Sequence, residues 1–596
     1  MSTKVMWQLS DHFRATPLRP SDATLLSIQL LAWVRLSADQ LIEPALRLEH
    51  AQQRGPEGLV QGLAALEKAN PSLASAFQGA SVLASNASGR LQQAVDDAVR
   101  FDVDGLLADF SPADAAVDAA HIQHHWQAID PSLADLIASL AGPVEGATVY
   151  AAWDVTAQFA ARLSRRSGGM LVESPVATPF PALVEIFSTQ RIETSFSDPV
   201  RSPGFVSEGN LRQVDVAIAV PPINVKTEPS VVERDLFARF DIPKATWSVL
   251  AIQHLMAQCG RRVVIAVPHS FLQGLGSDRA LRQRLVDSGR LQAVVSLPPG
   301  LIHGTAIQIA VIVLGAEGAS DGVRFVDASS DEFRETPIRN RTSLLSIDRI
   351  VDAVVTEERS SMARTASRDE IKANDYQLLV ARYVLAPGQE ELRKKLAARQ
   401  LALLGDLVET VRPLAASSTP GDGLLTVREV GTSDIPSAGF VTTGRELYVE
   451  RAALIKGHEQ FLRPGDIVLT IRGSTGKVGI VPDLVPNPGV GGWVAGASAT
   501  ILRTRPGLHV DGKALFLLLR SSLGQELLKS ITSGATIPMI TLRDLAKLEL
   551  PVLPPSSGLR ASEVLDREQA LQGQIEELMR QQLAVAGDDW AAGMLD

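Results

Sequence analysis

Between Ala147 and Gly315 the chain alternates strand-length apolar runs with amphipathic helical stretches, and no other feature restricts its fold as much. The runs are ATVYAAW from Ala147, VDVAIAV (214–220), RVVIAVP (262–268), LQAVVSLP (291–298) and IQIAVIVLG (307–315). Each has the length of a strand and is nearly continuous in apolar residues, as strands covered on both faces are. KATWSVLAIQHLMAQC and DRALRQRLVDSG, lying between them, have helical spacing. Short apolar strands joined by amphipathic helices predict a mostly parallel, doubly wound sheet, an α/β fold.

A chain of 596 residues exceeds one hydrophobic core, and its texture changes along its length. Residues 1–140 are rich in Ala and Leu with helical periodicity, as in ATLLSIQLLAWVRLSADQLIEPAL, and predict a helical domain. The α/β core follows over 141–330, then a helical connector over 331–403. From 404 to 555 short strands and Gly/Pro turns predict a mixed α+β domain, with GDIVLTIRGSTGKVGIV (465–481) as two strands around a glycine-rich turn. Residues 556–596 form a C-terminal helix and tail. That helix places Val564, Leu571, Ile575 and Leu578 near one face, which suits dimerisation, docking or capping of its own chain.

Composition removes several classes of function. Hydrophobic residues make up 45% and charged residues 21%, a globular balance. Cys259 is the sole cysteine, so neither a disulfide framework nor a cysteine-rich zinc site is expected, and a reducing cytoplasm fits. The polar N-terminus is unlike a signal peptide, and no stretch reaches the roughly 20 apolar residues of a membrane span. The expectation is a cytoplasmic protein without a membrane partner. The net charge of −10 argues against nucleic acid, but 404–560 holds 16 Lys/Arg against 14 Asp/Glu, which leaves −12 for the rest. His121, His124 and His125 in HIQHHW could share a helix face toward a metal. No acidic or cysteine ligand stands beside them, and no metal is expected. GSTGKVG (473–479) lacks the spacing and the following helix of a phosphate-binding loop.

VDVAIAVPPIN, RRVVIAVPHSFLQGLGSDRALRQRLVDSGRLQAVVSLPPGLIHGTAIQIAVIVLG and SRDEIKANDYQLLVARYV together resemble the modification subunit of type I restriction enzymes, an adenine-N6 DNA methyltransferase family. LGDLVETVRPL, LRPGDIVLTIRGSTGKVGIV and ITSGATIPMITLRDLAKLELPVLPP resemble one target-recognition domain of the same systems' specificity subunit. The resemblance implies a Rossmann-like class I methyltransferase core fused to a single recognition domain. Double-stranded DNA and restriction or defence-system subunits are the implied partners, with a second copy of the chain joined through the C-terminal helix.

Such an enzyme must cradle S-adenosylmethionine and hold a flipped adenine. The resemblance places the cofactor turn, Asp-Pro-x-x-Gly-x-Gly-Gly-Phe in the family, at 151–159. Here it is Ala151, Ala152, Trp153, Asp154, Val155, Thr156, Ala157, Gln158 and Phe159, with no glycine. It places the family's Asn-Pro-Pro-Phe at Val220, Pro221, Pro222 and Ile223, where Val220 has no hydrogen-bond acceptor and Ile223 no aromatic face. Asp198 stands where the family often has an acidic residue near the base, and is otherwise a turn Asp. The expectation is a DNA-binding, methyltransferase-like protein without cofactor, its methyl transfer lost. The alternatives are an active S-adenosylmethionine-dependent enzyme with divergent motifs and an interaction scaffold without DNA binding. Candidate DNA contacts are Arg463, Arg472, Ser474, Thr475, Lys477, Arg503 and Arg505.

Overall fold

The computed structural model describes residues 2–117, 128–223, 225–338, 341–384, 400–437, 440–505, 510–532, 538–554 and 556–585. They form two compact units, Met1–Val384 and Leu385–Asp596.

The first unit is built on a nine-stranded sheet. Its strands are β1 (Thr148–Ala152), β2 (Gly169–Glu173), β3 (Ile192–Ser195), β4 (Val214–Ala219), β5 (Cys259–Pro268), β6 (Leu291–Ser296), β7 (Ile309–Leu314), β8 (Gly322–Asp327) and β9 (Ala363–Ser367). Their spatial order is β3-β2-β1-β4-β5-β7-β6-β8-β9. The strands pair in parallel except β7, which runs antiparallel between β5 and β6, and β9, antiparallel to β8. Both faces are covered. On β4, Ala217 and Ala219 pack with Leu250 and Leu255 on one side, while Val216 and Ile218 pack with Leu136 and Ile137 on the other. Two covered faces explain why the central strands read as unbroken apolar runs.

Helices α1 (Pro20–Ala38), α2 (Gly55–Ala69) and α3 (Ser88–Val103) form the main part of the N-terminal helical layer. A β-carbon on Gly62 would lie 2.6 Å from the Trp33 ring, so glycine is what lets α2 approach that fully buried indole. The helices α4 (Pro131–Leu140), α5 (Gln158–Leu163), α6 (Phe180–Ser188), α7 (Trp247–Gln258) and α8 (Ser277–Asp287) flank the sheet. Phe180, Leu183 and Phe187 of α6 share the core of the N-terminal layer, which is thereby fastened to the sheet.

The segment 331–403, expected as a helical connector, holds the helices Ile347–Val355 and Arg368–Ala373 and also short strands where it is described. Arg334–Ile338 and Arg341–Leu344 form a hairpin, and β9 extends the main sheet. Its sequence, ARTAS, carries no apolar run; pairing with β8 makes it a strand.

The second unit contains the four-stranded sheet β10 (Val408–Val411), β16 (Ala499–Thr504), β13 (Ile467–Thr470), β14 (Val478–Ile480), in that spatial order and antiparallel throughout. A three-stranded sheet orders β12 (Glu446–Val449), β11 (Leu425–Val430) and β15 (Trp493–Ala495). Helix α9 (Gly512–Arg520) packs on the four-stranded sheet, and α10 (Ser557–Ala584) follows with 28 residues. Along α10 only Ala561 and Leu565 are buried among the described residues, and Glu568 pairs with Arg520 of α9. Val564, Leu571, Ile575 and Leu578 are all exposed. No helix among the described residues is long and apolar enough to cross a membrane.

Candidate functional site

The chain winds from β1 outward through β2 to β3, then returns to place β4 on the other side of β1. Beyond the carboxyl ends of β1 and β4 lies the crevice where open α/β sheets take their ligands. The two motif positions meet there. Ala151 and Ala152 pair in register with Ile218 and Ala219, so the turn 153–157 faces the turn 220–223.

Side chains fill the first turn. Trp153 and Ala157 both have φ of 58°, a left-handed conformation that glycine adopts freely and other residues at a cost. The Trp153 indole is buried, edge-on to Trp247 at 6.4 Å and to His254 at 6.5 Å. Asp154 turns inward as well. Its Oδ2 accepts hydrogen bonds from the backbone N–H of Phe159 (3.0 Å) and Ala160 (3.2 Å), satisfying the first turn of α5. Burial pushes its carboxyl up to about 7. Thr178 Oγ1 donates to the Val155 carbonyl at 2.9 Å, and the Gln158 amide donates to Asp114 at 3.2 Å. Phe159 is buried in the core of the sheet's other face.

A buried chain of polar groups lies behind this turn, and sequence reasoning missed it. Glu173 ends β2, where a carboxylate about 20 residues past the first turn holds a ribose in dinucleotide-binding sheets. Here it is fully buried and engaged with its own protein. It accepts from the Tyr150 hydroxyl, from Ser197 Oγ at 2.5 Å and from the Gly204 N–H at 2.7 Å. Burial raises its pKa. Tyr150 Oη also lies 3.0 Å from His254 Nε2, and Arg239 Nη1 lies 2.9 Å from His254 Nδ1. A guanidinium can only donate, so Nδ1 accepts, and a neutral His254 donates through Nε2 to Tyr150, which donates on to Glu173. Burial, with the Arg239 charge beside it, holds His254 well below its ordinary pKa. Arg239 also donates to Asp235 at 2.8 Å and to the carbonyls of Pro199 (2.9 Å) and Val200 (2.7 Å).

The second turn offers less polar chemistry. Val220 points into the core and Pro221 is buried, while Pro222 and Ile223 are half-buried. Asp198 is a turn residue: its Oδ1 accepts from the N–H of Val200 (3.0 Å) and Arg201 (2.9 Å), and its Oδ2 pairs with the Arg201 guanidinium at 3.0 Å. Arg201 lies 4.9 Å over the Trp247 ring and lines a cavity of about 470 Å³ with Pro203, Val231, Arg234, Leu236 and Phe237. His121, His124 and His125 lie outside the described residues.

In the second unit, four of the seven candidate DNA contacts share one turn. Arg472, Ser474, Thr475 and Lys477 belong to the connection between β13 and β14. A strand follows it rather than a helix, so GSTGKVG is a hairpin and not a phosphate-binding loop. Lys477 Nζ reaches the Thr432 carbonyl at 3.3 Å. The remaining three lie elsewhere. Arg503 holds the buried Asp466 through bonds of 2.9 and 2.7 Å, and Arg463 pairs with Glu459 at 2.6 Å. Arg505 donates to the Gly405 carbonyl at 3.2 Å.

Residues 185–392 match the family described as N-6 DNA Methylase. Over 145 residues the chain is 30% identical to the type I restriction enzyme MpnII methylase subunit of Mycoplasma pneumoniae, covering 24% of this chain and 26% of that protein. Over 205 residues it is 27% identical to the type I restriction enzyme MjaVII methylase subunit of Methanocaldococcus jannaschii, covering 31% and 35%. The chain thus spans about a quarter to a third of the length of these curated relatives. The type I restriction-modification methyltransferase subunit of Streptococcus thermophilus matches in structure with a TM-score of 0.51 at 18% identity, over 64% of this chain and 98% of that one. At that identity the likeness shows a shared fold. Over residues 185–392 the chain is thus similar to the N6-adenine methyltransferase family of type I restriction-modification methylase subunits.

Proposed function

We propose that this chain is a DNA-binding, methyltransferase-like component of a restriction-modification or anti-phage system, in which the second unit reads DNA and methyl transfer is lost. The occupied turn after β1 carries this reading. The family implies S-adenosylmethionine, and the residues present do not fit it. The turn has no glycine, Trp153 and Asp154 turn their side chains inward, and Glu173 is already satisfied by Tyr150, Ser197 and Gly204. Val220 supplies no acceptor for an adenine amine, whose loss of a partner in a closed site is costly. Calorimetric titration of the full-length protein with S-adenosylmethionine tests the reading. No binding is expected, and a dissociation constant in the micromolar range would restore an active enzyme.

DNA recognition is assigned to the second unit because its Arg472–Lys477 turn presents cations and hydroxyls together at the surface. Binding to duplex DNA that weakens steeply with salt is the expected behaviour, since phosphate contacts release counterions. A protein that binds no duplex at low salt would be an interaction scaffold instead.

A second copy of the chain is the proposed partner of α10. Val564, Leu571, Ile575 and Leu578 fall at the alternating spacings of a two-helix seam, and each is exposed. Light scattering of the full-length protein should give a dimer mass, and a chain ended after Gln569 should give a monomer. A full-length monomer at micromolar concentration would remove this partner.

A further inference from the structure

We infer that Thr470 and Gln525 are positioning residues that hold the Arg472–Lys477 turn as a rigid reading head for duplex DNA; the inference rests on the assignment of DNA recognition to the second unit.

Seven residues, Ile471–Lys477, connect β13 to β14, and two are glycines at φ of 72° and 87°. A surface loop of that composition is ordinarily mobile. In this one most backbone groups are hydrogen-bonded. The N–H groups of Ile471 and Arg472 donate to the Ser498 carbonyl, at 2.8 and 3.1 Å, and that of Gly473 donates to Pro538 at 2.9 Å. Ile540 N–H donates to the Ile471 carbonyl at 2.9 Å, and Gly476 N–H to the Thr470 carbonyl at 3.0 Å.

Two side chains complete the set. The Thr470 hydroxyl is fully buried beneath the turn, accepts from the Lys477 N–H at 3.0 Å and donates to the Ser474 carbonyl at 2.5 Å. Gln525 Nε2 donates to the Gly476 carbonyl at 3.0 Å and to the Leu519 carbonyl at 2.8 Å, tying the turn to the neighbouring helical segment.

With most of its backbone engaged, the turn offers a partner mainly side chains, and Arg472, Ser474 and Lys477 are exposed. Hydrogen bonds to a base edge or phosphate tolerate errors of a few tenths of an ångström, so supporting groups that fix the backbone determine how much affinity those side chains deliver. Thr470 bonds both a carbonyl and an N–H of the turn, and Gln525 a third group. Valine at 470 would keep the shape and branching of the side chain but leave the Ser474 carbonyl and Lys477 N–H without that partner.

The test uses full-length protein and a fluorescent pool of random-sequence 30-base-pair duplexes, with anisotropy measured across a KCl series. Thr470→Val and Gln525→Leu should each weaken binding about 10-fold at low salt and shallow the salt slope by about one, the signature of a lost phosphate contact. Amide exchange at Gly473–Lys477 should quicken in both variants, and Thr470→Ser, which keeps the hydroxyl, should restore both properties. If exchange quickens while affinity and slope stay at wild-type values, the turn is stabilised without being positioned for DNA, and the inference is overturned. Failure of Thr470→Ser to rescue overturns it as well. Arg472→Ala/Lys477→Ala separates the two layers. If this double variant binds like wild type, the reading of the turn as a DNA element fails. If it loses affinity while Thr470→Val and Gln525→Leu do not, only the positioning roles fail. Gln525 is half-buried at the surface, so Gln525→Leu carries the test should Thr470→Val not fold.

Discussion

The crevice beyond β1 and the turn between β13 and β14 both bring polar side chains to the tip of a sheet, and they dispose of them in opposite ways. In the crevice the side chains bond one another. Asp154 caps α5, and Glu173, Tyr150, His254, Arg239 and Asp235 run as one connected series. In the hairpin the backbone bonds itself and its neighbours, and the cationic side chains remain outside. A region whose carboxylates, imidazole and guanidinium are engaged with one another is stable without a ligand, although the buried indole N–H groups of Trp153 and Trp247 have no hydrogen-bond partner among the described residues. A region whose backbone is largely engaged and whose cationic side chains lie at the surface is prepared for one. Under the proposed function, this contrast separates the DNA-binding surface from the crevice beyond β1.

The largest expected effect tests the internal series. Arg239 and Asp235 have side chains only 2% and 3% exposed, and Arg239→Ala leaves a buried carboxylate without its cation. Destabilisation by about 3–5 kcal/mol is expected, read from urea unfolding followed by tryptophan fluorescence. A loss below about 1 kcal/mol, the range of an exposed pair, would mean that the crevice is wetter than its burial implies.

Asp154 gives the next effect through pH. Its folded-state value of about 7 stands above the ordinary 3.8, so the folded protein holds this proton more tightly than the unfolded chain does. Its contribution is therefore fully present below 3.8 and lost as pH rises through 7. The fall should be about 2–4 kcal/mol between pH 4 and 8, measured by chemical denaturation. Asp154→Asn keeps an acceptor for the α5 amides, and its stability should lack this component. Parallel pH profiles for wild type and variant would show that the carboxyl is solvated and the turn open.

Arg472→Ala with Lys477→Ala should reduce DNA affinity by about 1–3 kcal/mol and leave the melting temperature in place. A lower melting temperature would show that these side chains serve the fold, which would erase the contrast with the crevice. Arg463→Ala comes last. Its partner Glu459 is 73% exposed, so the stability cost should be about 0.2–1 kcal/mol, with DNA affinity unaltered. If DNA affinity falls as far as in the Arg472/Lys477 variant, the reading surface extends beyond the turn to the Glu459 cluster.

The central strands were legible because burial on both faces writes itself into the sequence as unbroken apolar runs, as in β4, β5 and β7. The outer ones were not. GMLVE, IETS and ARTAS are short and mixed in polarity, and each becomes a strand because a better-defined neighbour pairs with it. The reversed direction of β7 was also hidden, since an apolar run carries no polarity of its own. The absence of a helical stretch between Ser296 and Ile309 was the available signal, because parallel neighbours require a longer crossover. At the site, the two motif positions could be placed by resemblance, and the missing glycines by inspection. What fills the gap could not be read. Tyr150, Glu173, Arg239 and His254 are spread over 104 residues and meet only through the winding of the sheet. The spacing of Glu173 from the first turn was the one clue the sequence offered.

The outer strands that were hardest to read also bear on solubility. A sheet of nine strands has two rims, and an open rim of backbone amides is a template for another chain. Here β3 has four residues and β9 five, and each carries a charge in a pair, Glu193 with Arg212 and Arg364 with Glu370. Any further strand joining either rim would have little length to pair with and would have to cover an ion pair. The sheet therefore ends in two rims that are poor templates for pairing with another copy of the chain.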